Sequence, residues 1–387
     1  MKILQIIPAL ASGGAERFVV DLCNEFIEQK YEVVLCTLFD LNEKEEYRFF
    51  KNKLSPKVKL CTVHKKLGFD FKMYYKIIKL ILKEKPTIVH SHLNVINYLF
   101  LAAFFFKFFG KVKFVHTLHN DASKLFSHRY EKIIRKILYQ FKLIYPVVIS
   151  EISKISFEDV YGKFIKTFLI YNGRKQENFS KDFNDCKIYF KKLRRYENTF
   201  IFLHIGRFIQ QKNQLNLLKA ISLLNKENID VRLLFIGEGF KDLNNPVLEN
   251  IEMDIREFSN KNSDCIYLLG RKDNVIDYLK LADAFLLPSN YEGMPITVIE
   301  AFSMGCIPIC SKVGGVKNMI EEGKDGFFFE GQSIQDIVKK LKEFIALDQK
   351  CKEEISQNGK IKYQHYFSIE KSADKYIACF KKLSHAN

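Results

Sequence analysis

The sequence predicts an α/β protein of two domains, each built on a mostly parallel sheet. Short apolar runs of strand length alternate with longer segments of helical periodicity along almost the whole chain. Glycine-bearing loops follow several of those runs, at Gly13-Gly14, Gly206, Gly237-Glu238-Gly239, Gly270 and Gly314-Gly315, where a strand would hand over to a helix. A length of 387 residues suits two domains of about 150–200 residues, each able to bury a full core.

Composition narrows the class. A hydrophobic share of 47% with 14% aromatic residues excludes a disordered chain. Nine cysteines without a Cys-x-x-Cys pair argue against a secreted disulfide framework and for a reducing cytosol. Ile3 to Ala11 has the outline of a leader peptide, but one preceding lysine is a poor basic start and Gln5 and Pro8 interrupt the run. A first buried strand is expected there instead. The longest apolar stretch, Tyr98 to Phe106, ends at Lys107 and is too short to span a bilayer.

The net charge of +16 is local: residues 51–150 hold 20 Lys/Arg against 4 Asp/Glu, while the remainder has 41 of each. Such a region can meet nucleic acid, an anionic membrane or an acidic substrate, and a lysine-rich solubilising surface is the plain alternative. Between Phe71 and Lys83, Lys72, Lys76, Lys79 and Lys83 share one helical face with apolar residues opposite. That pattern fits a surface helix packed on a sheet, and also a helix lying in a membrane interface.

In chain order, a strand over Ile3–Ile7 leads through Gly13-Gly14 into a helix reaching about Gln29. This opens a nucleotide-binding α/β unit, but the loop is not Gly-x-Gly-x-x-Gly, which weakens a dehydrogenase reading. Further strands are expected at 32–38, 58–61, 88–92, 113–119 and 146–150. Histidines gather at two strand ends, His90 and His92, then His116 and His119, where open parallel sheets line their ligand crevice. His90 and His92 alternate so as to share one strand face; a zinc pair would need further ligands, and none suggest themselves. No metal is expected. Phe168 to Tyr171 reads as a strand, and the polar stretch 175–198 as a hinge.

The second half begins with a strand over Thr199–Ile205, then Gly206-Arg207, with Gln211-Lys212 opening the next helix. Strands over 231–236 and 265–269 follow, then the Gly270–Asn274 loop and a helix over 275–282. Ala284–Leu287 ends at Pro288, and after a Ser/Asn/Gly loop Pro295 starts a helix over Ile296–Met304. The helix start offers unpaired amides and a positive dipole end, suited to a phosphate-bearing ligand. Glu292 sits in the loop before that helix and Glu300 lies eight residues on, about two helical turns, which places both to face one cleft. A strand over 306–310, Gly314-Gly315 and three closing helices complete the chain.

Pro-Ser…Glu-Gly-Met-Pro…Glu-Ala…Gly-Cys-Ile-Pro…Gly-Gly, from Pro288 to Gly315, resembles the signature of the retaining glycosyltransferases of family 4. The resemblance is strongest over 199–330, weakest over 40–110 and covers nearly the whole chain. It implies the GT-B fold, two Rossmann-like domains facing each other across a cleft, as residues 1–172 and 173–365, with 366–387 crossing back as a helix to the first. It further implies that Gly13, Gly14 and Gly206 admit the donor's diphosphate, that Arg207 and Lys212 grip it, and that Gly270, Arg271 and Asn274 lie against the base. Glu292, Gly293, Met294, Ile296 and Thr297 would surround the donor sugar and phosphates, Glu300 would take the ribose hydroxyls, and His119 would lie near the reacting hydroxyl.

The expected activity is a metal-independent retaining transfer of sugar from a nucleotide sugar, expected to be a UDP-sugar, to a glycan or polyprenyl-diphosphate-linked saccharide. No cofactor is implied. Glu292, His119, Arg207 and Lys212 would be catalytic. The expected place is the cytoplasm, with the basic region 51–150 meeting the inner membrane face. Two other readings stand beside it: a GT-B sugar-nucleotide 2-epimerase, which works without an acceptor, and a basic nucleic-acid-binding protein. The latter explains the charge but lacks an Arg-rich or aromatic RNA-binding motif, so no nucleic acid is expected.

Overall fold

The computed structural model describes residues 1–124, 126, 129–237 and 246–385. Glu238 and Gly239 lie outside the described residues. The chain divides into two units, Met1–Lys175 with Tyr366–Asn387, and Gln176–His365.

The first unit carries β1 (Lys2–Ile7), β2 (Glu32–Thr37), β3 (Lys59–Thr62), β4 (Ile88–His92), β5 (Lys113–Leu118), β6 (Tyr145–Val148) and β7 (Phe168–Leu169). They form one parallel sheet in the order β3-β2-β1-β4-β5-β6-β7. Leu4 lies in register between Val34 and Val89. All three are buried, because helices cover both faces and leave no room for polar alternation. The helix Lys72–Glu84 turns Met73, Ile77 and Ile81 inward at four-residue steps. The closing helix Ile369–His385 packs against Gly14–Glu28, with Phe380 against Phe26 and Tyr376 against Phe18. Arg174 ties this junction, pairing with Asp21 and forming a bridge with Ser368.

The second unit carries β8 (Phe200–Ile205), β9 (Val231–Ile236), β10 (Ile266–Gly270), β11 (Ala284–Leu287), β12 (Ile307–Ser311) and β13 (Phe327–Phe329), all parallel in the order β10-β9-β8-β11-β12-β13. Its core joins Phe202, Leu233, Phe235, Leu286 and Ile309 from the strands to Leu217, Ile221 and Leu341 from helices.

Three expectations need adjustment. The stretch 175–198 is not a plain hinge: it holds the helix Phe183–Leu193, which buries Cys186, Phe190 and Leu193 and packs on the helix Val275–Leu281. Its apolar residues, spaced for a helix, were diluted by lysines and acids. Lys212 does not open a helix, but sits on a single 3-10 turn, Gln210–Lys212, before left-handed Asn213 and the helix Gln214–Lys226. Glu292 lies, as expected, in the loop before the helix Ile296–Met304, so the eight residues to Glu300 do not span two helical turns.

Candidate functional site

In the second unit the strand order reverses between β8 and β11, and open parallel sheets bind ligands outside the carboxyl ends of their strands at such a point. The loop after β8 and the loop after β11 are laced together there. The Asn290 backbone N–H donates to the Gln211 carbonyl at 2.7 Å, the Asn290 side-chain amide to Gln210 at 2.9 Å, and the Gln211 amide to the Tyr291 carbonyl at 2.8 Å. This lacing brings Lys212 Nζ within 2.6 Å of Glu292 Oε1, with the carboxylate only 9% exposed.

From the loop after β12, the Gly315 N–H donates to the Glu292 carbonyl at 3.2 Å. Gly314 has φ +45°, and a Cβ there would lie 1.8 Å from the same carbonyl oxygen, so only glycine fits. Cys310, at the end of β12, has its thiol pushed well up, by burial first and by the Glu292 carboxylate second.

The helix Ile296–Met304 has no side-chain cap at Pro295. Met294 and Ile296 are buried, Gly293 and Thr297 are half-buried, and Glu300 is buried one turn into the helix. On β8, His204 is buried and neutral, its pKa lowered by burial to about 3. Its Nδ1–H donates to the Leu286 carbonyl on β11 at 2.8 Å, and Gln214 approaches Nε2 while donating to the Arg207 carbonyl at 2.6 Å. His204 and Gln214 therefore hold the backbone of Gly206-Arg207 at the switch point, and Arg207 itself is exposed.

At the neighbouring strand ends, the Gly237 N–H donates to the Gly270 carbonyl at 3.0 Å. A Cβ on Gly237, at φ +150°, would lie 1.9 Å from the Gly206 carbonyl oxygen. Gly270 and Arg271 are exposed, whereas Asn274 directs its side-chain amide to Asp277 at 3.0 Å, within the unit.

In the first unit the order reverses between β1 and β4. Gly13 stands at the cap position of the helix Gly14–Glu28 and supplies no side chain to it. His92 bridges two neighbours: Nε2 meets Gln5 Oε1 at 2.8 Å and Nδ1 meets His119 Nε2 at 2.9 Å. A carbonyl oxygen can only accept, so His92 carries its proton on Nε2, and its Nδ1 takes the proton-bearing Nε2 of His119. His119 Nδ1 is then a buried acceptor with no hydrogen-bond partner among the described residues. Burial lowers the His119 pKa to about 3.

The other histidines are held internally, His90 by Thr117, which also meets the Tyr376 hydroxyl, and His116 by Ser91. Among the described residues, no group of three or more metal-ligating side chains is assembled.

Reasoning from sequence missed Gln5, His204, Gln214 and Cys310. A lone polar residue inside an apolar strand was the available signal for Gln5 in β1 and His204 in β8.

Residues 185–362 match the family described as Glycosyl transferases group 1, and residues 12–177 match Glycosyltransferase Family 4. The chain is 29% identical over 312 residues, 79% of its length and 78% of the relative's, to the UDP-Gal:alpha-D-GlcNAc-diphosphoundecaprenol alpha-1,3-galactosyltransferase of Escherichia coli. It is 26% identical over 366 residues, 93% of each chain, to a Campylobacter jejuni enzyme. That relative is named as the alpha-1,4-N-acetyl-D-galactosaminyltransferase acting on GalNAc-alpha-(1->4)-GalNAc-alpha-(1->3)-diNAcBac-PP-undecaprenol. Anabaena HepE in complex with UDP has the same fold, with a TM-score of 0.79 at 17% identity over 99% of this chain and 100% of that one. With both halves of the chain matched and the fold shared throughout, this protein belongs to the family 4 glycosyltransferases of the GT-B fold and is a hexosyltransferase-type enzyme.

Proposed function

We propose that the chain moves a sugar from a UDP-sugar to a hydroxyl of a polyprenyl-diphosphate-linked glycan, with retention of configuration and without a metal, at the inner face of the cytoplasmic membrane. The single observation that carries the reading is the Lys212–Glu292 pair at the strand-order reversal, beside the uncapped start of the helix Ile296–Met304.

In the reaction, the bond from the sugar C1 to the diphosphate breaks and a bond from C1 to the acceptor oxygen forms on the same face. The acceptor's proton passes to the departing diphosphate oxygen. Arg207, Lys212 and the helix amides near Ile296 stabilise the charge gained by that leaving group, the task a divalent ion performs elsewhere. Glu292 binds donor-sugar hydroxyls and steadies the cationic sugar in the transition state. Glu300 accepts from the ribose, and the Gly270–Asn274 loop lies against the base. In the first unit, Gly13-Gly14 offer helix-start amides to phosphate and His119 orients a reacting hydroxyl through its unpartnered Nδ1. The names of the relatives support the donor and acceptor classes: one uses UDP-Gal, and two act on undecaprenyl-linked saccharides.

The test is nucleotide release by the purified protein from a panel of UDP-, GDP- and ADP-sugars in the presence of EDTA. Slow release of UDP alone, unaffected by EDTA and lost in Lys212→Ala, is the expected result. A folded protein that binds no donor, or that needs a divalent ion, contradicts the reading.

A further inference from the structure

The helix Arg129–Gln140 buries Arg135 beside Leu138 and Tyr139 and leaves a stripe of apolar side chains outside. Arg135 is 2% exposed, with Nη2 donating to Asn97 Oδ1 at 2.9 Å, whereas Tyr130, Ile133 and Ile137 face outward and Ile133 is 59% exposed. Those three, with Phe141 beyond the helix end, follow the three-, four- and seven-residue steps of one helical face. Rotating the helix to bury that face would expose Leu138 and Tyr139 and strip Arg135 of its partner, so the outward apolar stripe is set by the packing itself.

The adjoining helix Phe100–Phe109 also leaves apolar side chains outside. It turns Ala102, Ala103 and Phe106 inward and leaves Phe104, Phe105, Phe108 and Phe109 outward, with Phe109 77% exposed. Next to it, the helix Lys72–Glu84 and the loop before it add Leu67, Phe71 and Tyr75. Large apolar side chains exposed on neighbouring helices mark a candidate interaction site.

Exposed lysines border it: Lys72, Lys79 and Lys83 on the first helix, Lys107 on the second, and Lys136 and Lys142 about the third. The four-lysine face expected from the sequence is incomplete, because Lys76 bends back to the carbonyls of Val63 and His64 at 2.8 Å each.

We infer that the outer face of the helices Lys72–Glu84, Phe100–Phe109 and Arg129–Gln140 is a docking surface for an anionic lipid bilayer, with its aromatic and aliphatic side chains entering the headgroup layer and its lysines meeting lipid phosphates. Two observations choose this occupant. Aromatic and aliphatic side chains fringed by lysine match the chemistry of a bilayer interface. The surplus of 20 basic over 4 acidic residues across 51–150 would set like charges against each other if a second copy covered the face. Among the described residues, no helix is long and apolar enough to cross a membrane. The inference does not depend on the donor chemistry.

The test is co-sedimentation of the full chain with phosphatidylcholine vesicles and with mixed phosphatidylcholine–phosphatidylglycerol vesicles, at low and raised salt, alongside size-exclusion light scattering and thermal melting. Wild type is expected to sediment with the mixed vesicles and not with the neutral ones. Phe108→Glu with Ile133→Glu should weaken binding about tenfold or more, and Lys79→Gln with Lys83→Gln less so, with a reduced salt dependence. Should the glutamate pair disturb melting, Phe108→Ser and Ile133→Ser singly give the same comparison. Absence of binding to the anionic vesicles by wild type, or binding unchanged in the folded apolar variants, overturns the inference. So does a dimer that the same variants dissociate while vesicles capture nothing.

Discussion

Lys212 Nζ is 2.6 Å from Glu292 Oε1, an ion pair joining the loops after β8 and β11 across the point where the strand order reverses. The ammonium carries three donors, and the carboxylate takes up one of them. A diphosphate placed by the helix Ile296–Met304 would engage the others. Lys212→Ala removes that charge-assisted contact, about 1.5–3 kcal/mol, or roughly ten- to a hundredfold in UDP affinity. Isothermal titration with UDP checks this; unchanged affinity would place the diphosphate elsewhere.

Glu292→Gln is expected to behave oppositely toward the two ligands. Losing the carboxylate releases Lys212 from its partner, so UDP binds as tightly as before or more so. Sugar transfer should fall by two orders of magnitude or about that, because stabilisation of the transition state is lost. Equal losses in UDP binding and in turnover would show that Glu292 acts only through Lys212.

Gln5 acts on His119 through His92, whose ring bridges them at 2.8 and 2.9 Å. Gln5→Leu removes the acceptor that places the His92 proton on Nε2, and with it the lone pair on His119 Nδ1. The expected outcome is a lower kcat with UDP affinity retained, and partial rescue in Gln5→Glu, which keeps an acceptor. A uniform loss in every substitution, Gln5→Glu included, would mark a packing role alone.

Gly314→Ala places a methyl group where the Glu292 carbonyl oxygen stands, at a φ of +45°. Strain of about 1–3 kcal/mol is the backbone share, before the clash is relieved. The loop carrying Glu292 must then move, so transfer activity should drop further than thermal stability does. Full activity in this variant would contradict the close approach.

Burial holds His90, His92, His116, His119 and His204 below their ordinary 6.5, the last two at about 3. A depressed pKa means that the unfolded chain binds more protons below pH 6.5, so these groups contribute full stability above that value. The contribution falls as pH drops toward 3, by up to about 1.4 kcal/mol per pH unit for each histidine. Urea unfolding at pH 7.5, 6.0 and 5.0 should show steadily lower midpoints. A flat profile would mean these imidazoles are solvated.

Much was legible in the sequence because it is local. Strand-length apolar runs such as 231–236 and 284–287 have no other use than a covered parallel sheet, and the structure begins and ends β9 and β11 at those residues. Proline at 295 stopped the preceding loop and started the helix, and glycine at 314 marked a turn, which the structure makes left-handed. The pairing of Lys212 with Glu292, 80 residues apart, was not legible, since it arises from β11 lying beside β8 and from three hydrogen bonds between their loops. Nor was the direction of a helix face. Arg129–Gln140 has the periodicity of an ordinary packed helix, and its isoleucines face outward because Leu138 and Tyr139 enter the core on the side where Arg135 meets Asn97, distant in sequence. Periodicity names two faces of a helix, and it takes the partners met in three dimensions to say which one is buried.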